Sequence, residues 1–274
     1  PGLAILINLR FQLERVAQQI VDLCFFTIPR PRPSHQALIE GKIISHRVEH
    51  DNLQVNENTI ASFARVVEAG AWGIEFDVRW TRDQEPVVIH DTDTRRVFDV
   101  ELTVAEASLT ELRQRLPEIP TLAEVVERFG GVCHLMVELK RDELDAKESR
   151  AERLQEIFAS LTPGTDYHFL ALQFDLFDLV KFAGGGACLP VAELKTRDFS
   201  RAALAGDLAG VCGHYLLLSR DMIEHHHRQG QKVGTGFIAS RFSLYRELHR
   251  GVDWVFTNHA LRLTAIRQQL LRRE

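Results

Sequence analysis

From residue 42 onward the chain switches repeatedly between two hydrophobic periods. Runs that are apolar throughout, or at every second position, read as strands. They are Lys42–His46, Gly73–Trp80, Pro86–His90, Val132–Lys140, Tyr167–Phe174, Ala187–Glu193, Val211–Leu218, Lys232–Ala239 and Asp253–Thr257. Between or after them, apolar residues fall three and four apart, the spacing of a helix with one buried face. Those stretches are Thr59–Ala69, Thr121–Phe129, Asp145–Leu161, Leu176–Phe182, Met222–Gln229, Leu244–Arg250 and Leu261–Leu271. Ile60, Phe63, Ala64 and Val67 share one face of the first, and Gly70 stops it. Thr121 with Glu124 three residues on makes a capping box. About eight strand–helix units over ~230 residues predict a (β/α)8 TIM barrel. A doubly wound open sheet is the alternative, because strand order is not written in one sequence.

Upstream, Leu9, Leu13, Val16, Ile20, Leu23 and Cys24 fall near helical spacing. Pro29-Arg30-Pro31-Arg32-Pro33 then forces a stiff, non-helical linker. The expected division is an N-terminal helix and Pro-rich linker over 1–37 and a barrel domain over 38–274. Two readings of the helix stay open: it packs on the barrel, or it contacts a membrane surface or a second copy. No apolar run approaches the ~20 residues of a membrane span. The chain opens at Pro1, so residues upstream stay an open question.

The composition, 45% hydrophobic and 26% charged, is that of a globular domain. A net charge of −5 argues against a nucleic-acid partner, since phosphate contacts need clustered cations. Cys24, Cys133, Cys188 and Cys212 form no CxxC pair, so they read as reduced core thiols of a cytoplasmic or membrane-associated protein. The oligomeric state is not readable.

The chemistry concentrates in Gly73–Trp80, Gly-Ile-Glu-Phe-Asp-Val-Arg-Trp. Strand side chains alternate, so Ile74, Phe76 and Val78 share one face and Glu75 and Asp77 the other, with Cα atoms roughly 6.5–7 Å apart. With the apolar face on the outer helices, both acids point into the barrel mouth. Two such carboxylates repel unless something cationic lies between them. Glu138 arrives the same way on Val132–Lys140, with Lys140 on its face. Three carboxylates without thiolates suit Mg²⁺, Ca²⁺ or Mn²⁺. With that cation, Arg47 and Lys140 leave the site about one charge positive, as a phosphodiester anion requires. His46 and His90 each close a strand beside this cluster, and histidine can accept or give a proton near neutrality. Plain ion pairs remain the alternative for Arg47 and Lys140.

Several ordered blocks resemble the glycerophosphodiester phosphodiesterase family. They are His46-Arg47, Glu57-Asn58-Thr59, Gly70-Ala71, Gly73–Val78, Thr81 with Asp83, Pro86–Asp91, Ile119–Leu122, Val137–Lys140, Gly251–Asp253 and Thr257-Asn258. The resemblance covers roughly residues 42–260 and is strongest through 140. It implies a (β/α)8 barrel and one divalent cation on Glu75, Asp77 and Glu138. It also implies His46 and His90 as the acid/base pair, with Arg47 and Lys140 on the substrate phosphate. The reaction it implies is hydrolysis of glycerophosphodiesters, small-molecule substrates, to glycerol phosphate and an alcohol. Two other outcomes stay open: a phospholipase D-like lyase making a cyclic phosphate from a lysophospholipid, and a catalytically silent phosphodiester-binding barrel. The chain departs from the family at Val48 for Gly, at Asn56 for Pro, and at Phe237, where a pocket aromatic is often Trp.

Three further motifs point elsewhere and are set aside. Gly234–Ala239 fits GxGxxA, but too late to open a dinucleotide domain. His225-His226-His227 cannot face one ion from a helix, because successive residues diverge by ~100°, and reads as surface. Gly184-Gly185-Gly186 lacks the Lys-Ser/Thr of a P-loop and reads as a loop.

Overall fold

The fold is taken from a computed structural model that describes residues 27–48, 52, 55–142 and 146–272. All but the last two positions of the expected N-terminal helix lie outside them, as does Cys24. Eight parallel strands close a barrel: β1 (Lys42–His46), β2 (Gly73–Trp80), β4 (His134–Leu139), β5 (Tyr167–Ala171), β6 (Cys188–Ala192), β7 (Gly210–His214), β8 (Lys232–Gly236) and β9 (Trp254–Thr257). β1 pairs with both β2 and β9, which closes the ring. The expected barrel is therefore observed, and the open sheet is not.

One expected strand plays a different part. β3 (Pro86–Val88) runs antiparallel to the end of β2, outside the barrel. Only Thr81–Glu85 separates the two, whereas a parallel crossover needs about a dozen residues or more. β3 opens a lobe over residues 86–119 with its own core of Val87, Ile89, Val104, Leu112, Leu116 and Ile119.

Alternation along the strands sorts two cores. Outward-facing Ile74, Phe76 and Val78 pack against helices Ile60–Glu68 and Leu122–Phe129, where Phe63 meets Phe76 and Phe129 edge-on at 5.5 and 5.6 Å. Thr121 caps its helix with the expected Glu124 box. Inside the barrel, Ile44, Met136, Leu170, Leu189, Cys212 and Phe256 form an apolar plug. Gly234 belongs to this interior: a Cβ there would lie 2.2 Å from Cys212 Sγ. The glycines of the GxGxxA segment are thus read by strand packing, not by a nucleotide.

The Pro-rich segment leads into the helix His35–Glu40, which spans the division expected between residues 37 and 38. Leu38 is fully buried there, and Arg267 Nε donates to its carbonyl at 2.5 Å. The helix Thr196–Ala205 was not anticipated. Its buried positions are Thr196, Ser200 and Ala203, too small and polar to form an apolar stripe. Ser200 Oγ meets His226 Nε2 at 2.9 Å, and His226 Nδ1 meets Gln231 Oε1 at 2.7 Å. This corrects the surface reading of the histidine tract: His226 is fully buried between its exposed neighbours. Cys133, Cys188 and Cys212 are free thiols, the last two buried. Among the described residues no helix is long and apolar enough to cross a membrane.

Candidate active site

β1, β2 and β4 are neighbours, and their register sets the site. His46 lies beside Glu75, and Asp77 beside Glu138. All three acids face inward near the strands' C-terminal ends, the end at which barrels of this kind place their chemistry. One oxygen from each of Glu75, Asp77 and Glu138 lies within 4.8 Å of the others. The carboxylates are buried: 1%, 0% and 8% exposed. Burial, and then Asp77 and Glu138, raise the Glu75 carboxyl well above its usual range. Burial also raises Glu138, against the pull of Lys140. Asp77 goes the other way, because Lys140 and Arg47 outweigh its burial.

The cations meet the acids directly. Lys140 Nζ is 2.9 Å from Asp77 Oδ1 and also contacts Glu138 Oε1. Arg47 Nε lies 3.6 Å from Asp77 Oδ2, and the Arg47 amide donates to Glu75 Oε2 at 3.0 Å. The ion-pair alternative for both residues is therefore realised, at the same place as the acid cluster. Arg47 (φ 48°) and Val48 (φ 60°) are both left-handed, a conformation that costs a β-branched residue and suits the family's glycine.

Each histidine has one nitrogen fixed. His46 Nδ1 meets Asn258 Oδ1 at 2.7 Å; an amide oxygen only accepts, so Nδ1 carries the hydrogen and Nε2 the lone pair. That Nε2 lies 3.8 Å from Glu75 Oε2. Burial, then the neighbouring Arg47 charge, push His46 down to about 4. His90 Nδ1 donates to Asp91 Oδ1 at 2.6 Å. Phe237 sits with its ring 4.4 Å from that of His46 and is 38% exposed at the mouth. All the expected site residues but His90 are thus linked by direct contacts around β1, β2 and β4. His90 follows β3 from β2's far edge, where Arg79 Nε donates to its carbonyl at 2.7 Å.

Four supporting residues had no expected role. Asn58 Nδ2 donates to Asp77 Oδ2 at 3.1 Å, and Asn258 fixes His46. Arg96 grips Asp91 through Nε (2.5 Å) and Glu57 through both terminal nitrogens (2.9 and 2.6 Å). Glu57, Asn58 and Asn258 did stand in the family-like blocks; nothing in the sequence singled out Arg96 from Arg95.

The cluster fits a cation. Glu75 Oε1 is buried without a hydrogen-bond partner. Three buried carboxylates share one small volume, and an all-oxygen donor set suits a hard divalent ion.

The glycerophosphoryl diester phosphodiesterase family profile matches residues 46–261. A glycerophosphodiester phosphodiesterase of Caldanaerobacter subterraneus is 40% identical over 110 residues, 36% of this chain and 44% of that protein. The chain thus aligns with less than half the length of that relative. A glycerophosphodiester phosphodiesterase from Thermotoga maritima superposes with a TM-score of 0.69 at 24% identity, covering 82% of this chain and 97% of that one. A phosphodiesterase from Oleispira antarctica, solved with its product sn-glycerol-3-phosphate, superposes at 0.68 with 22% identity over 84% and 96% of the two chains. These neighbours share the barrel. With the profile spanning most of the chain from His46 onward, the protein belongs to the glycerophosphoryl diester phosphodiesterase family.

Proposed function

We propose that the chain hydrolyses a glycerophosphodiester to glycerol phosphate and an alcohol, with a divalent cation (Mg²⁺, Ca²⁺ or Mn²⁺) held by Glu75, Asp77 and Glu138. The observation that carries this reading is the convergence of three buried acids with two cations, and His46 Nε2 beside Glu75. When bound, the cation polarises the phosphoryl group and offsets its charge. Arg47 and Lys140 bind the non-bridging oxygens and stabilise the charge that builds on them.

The two histidines divide the proton work by their partners. His46 faces a neutral amide, stays neutral near neutrality and offers Nε2 as a base. His90 Nδ1 is held by the Asp91 carboxylate, which orients the ring, and His90 is assigned the acid. His46 takes the proton of the attacking water, or of the glycerol 2-hydroxyl, as the new P–O bond forms. His90 gives its proton to the alkoxide as the old P–O bond breaks. If the 2-hydroxyl attacks, a cyclic phosphate forms first, and water then opens it.

That intermediate leaves a second reading. Phe174, Leu194, Leu216, Leu217 and Phe237 are large apolar side chains exposed on loops that follow β5 to β8. They favour a diester with an acyl chain, and a lyase would stop at its cyclic phosphate. The test is turnover of glycerophosphocholine and of lysophosphatidylcholine, with and without chelator, with products identified by phosphorus NMR. Chelator-sensitive release of glycerol phosphate is expected. Exclusive cyclic phosphate would select the lyase, and no turnover of either substrate would leave a silent binding barrel. His46→Ala and His90→Ala should each lower the rate roughly 10²–10⁴-fold.

A further inference from the structure

A cavity of about 560 Å³ opens at the other end of the barrel, among the first residues of the strands. Trp72, His168, Trp254, Lys42, Lys232 and Asp207 contribute to its wall. The apolar plug of Ile44, Met136, Leu170 and their neighbours separates it from the acids.

The chemistry of this cavity is set by a chain of two histidines. His134 Nδ1 lies 2.9 Å from the Thr165 carbonyl, which can only accept, so that nitrogen carries the hydrogen. Burial keeps His134 neutral, pushing it down to about 4, and its Nε2 is then a lone pair. That lone pair lies 2.8 Å from His168 Nδ1, which must donate. His168 is neutral as well, lowered to about 3 by burial and then by His134. Its Nε2 therefore holds a lone pair, and no donor among the described residues meets it. His168 is 5% exposed and lines the cavity, so this one acceptor is presented there.

Two apolar side chains would fill the same inward positions; the histidine pair instead leaves an acceptor nitrogen facing the cavity, where a bound molecule can reach it. The surroundings select the partner. Trp72 stacks on His134 at 4.4 Å, and Trp254 meets His168 edge-on at 5.0 Å, so both place aromatic surface beside the acceptor. Lys232 is tied to Asp253 at 2.9 Å, and Asp207 adds negative charge, which together with the lone pair disfavours an anion. Among the described residues no group of three metal-ligating side chains includes His168, which disfavours a metal ion.

We propose that this cavity binds a small, uncharged planar molecule, of the phenol or indole class, that donates an O–H or N–H to His168 Nε2 and lays its ring against Trp72 and Trp254. The site is independent of the diester chemistry. Two of the chain's three tryptophans line it, so intrinsic fluorescence reads its occupancy. The probes are p-cresol, which has the donor, and 4-methylanisole, which has the ring without it. One hydrogen bond predicts saturable binding of p-cresol about tenfold tighter than of 4-methylanisole. The His168 Nε2 nitrogen resonance of the unmodified protein should move with p-cresol alone. His168→Phe, which keeps a ring but has no acceptor, should abolish the preference. Equal affinity for the two probes, or no saturable binding of p-cresol, would overturn the proposal and leave a water-filled depression. Diester turnover measured on the same samples reports the active site separately.

Discussion

Arg96 ties the loop carrying Asn58 to the segment carrying His90. Its guanidinium holds Asp91, the partner of His90, and Glu57, the neighbour of Asn58, at the same time. Lysine cannot do this, because a point charge has no planar fork to span two carboxylates. Arg96→Ala should therefore lower kcat about 10–100-fold, as losses of supporting partners do at such sites, while KM changes little. Arg96→Lys should recover only part of this. A loss confined to KM in steady-state kinetics would place Arg96 on the substrate instead. Val48 makes a different case at a single position. Its side chain is fully buried, yet its φ of 60° is one that a β-branched residue adopts at a cost. Val48→Ala loses the burial and keeps the strain; Val48→Gly loses the burial and releases the strain, worth ~1–2 kcal/mol. Glycine should thus be the more stable replacement by about 1 kcal/mol in denaturant unfolding, the reverse of the usual order. Alanine outlasting glycine would show that the backbone there relaxes freely.

Strand β8 shows how a barrel interior constrains its wall. A Cβ on Gly234 would meet Cys212 Sγ at 2.2 Å and Phe256 Cε2 at 2.9 Å, so Gly234→Ala overpacks the plug. It should cost ~1–3 kcal/mol in denaturant unfolding, with much of the loss restored by adding Cys212→Ala. Additive effects in that double-mutant cycle would move the clash elsewhere. The same strand marks where sequence patterns lose their reach. β2 and β4 were readable because one face is uniformly apolar and the other carries the acids, so alternation gave both the strand and the direction of its chemistry; β1 was readable only as a short apolar run closed by His46. β8 holds glycines at its inward positions, which look like a loop or a nucleotide motif until the ring is closed. β3 had the composition of a barrel strand, and only the five residues before it marked a hairpin. The helix Thr196–Ala205 was hidden because its buried face is Thr, Ser and Ala, satisfied by a histidine from the next helix. The three clustered acids could be named because strand parity fixes their face. Arg96 could not, because only the folded lobe decides which of two adjacent arginines reaches Asp91 and Glu57.

Across the whole molecule, the acid cluster ties stability to protons and, under the proposed function, to the cation as well. Glu75 is raised well above the usual 4.5 by burial, then by Asp77 and Glu138. Between that ordinary value and its folded one, the native chain holds a proton that the unfolded chain has released. The native state then binds more protons, so without a cation Glu75 makes stability fall as pH rises through this window. Asp77 is held below its usual 3.8, mainly by Lys140 against burial, so it stays ionised throughout and adds no slope. His46, His134 and His168 push the other way, because burial keeps them neutral in the fold while the unfolded chain protonates near 6.5. Above that value they are neutral in both states, and the raised carboxyls set the slope: Glu75 foremost, with Glu138 and Glu247 acting in the same direction. A bound cation replaces the Glu75 proton, so its stabilisation should be small where the proton already sits there and grow as pH rises. The gap in Tm between cation-loaded and chelated protein should widen as pH rises above the ordinary histidine value of about 6.5. Glu75→Gln, which cannot ionise, should flatten the chelated protein's Tm over that range and remove most of the gap. A gap that stays constant with pH in the unmodified protein would mean that proton and cation do not compete at Glu75, and the three-carboxylate site would lose its central ligand.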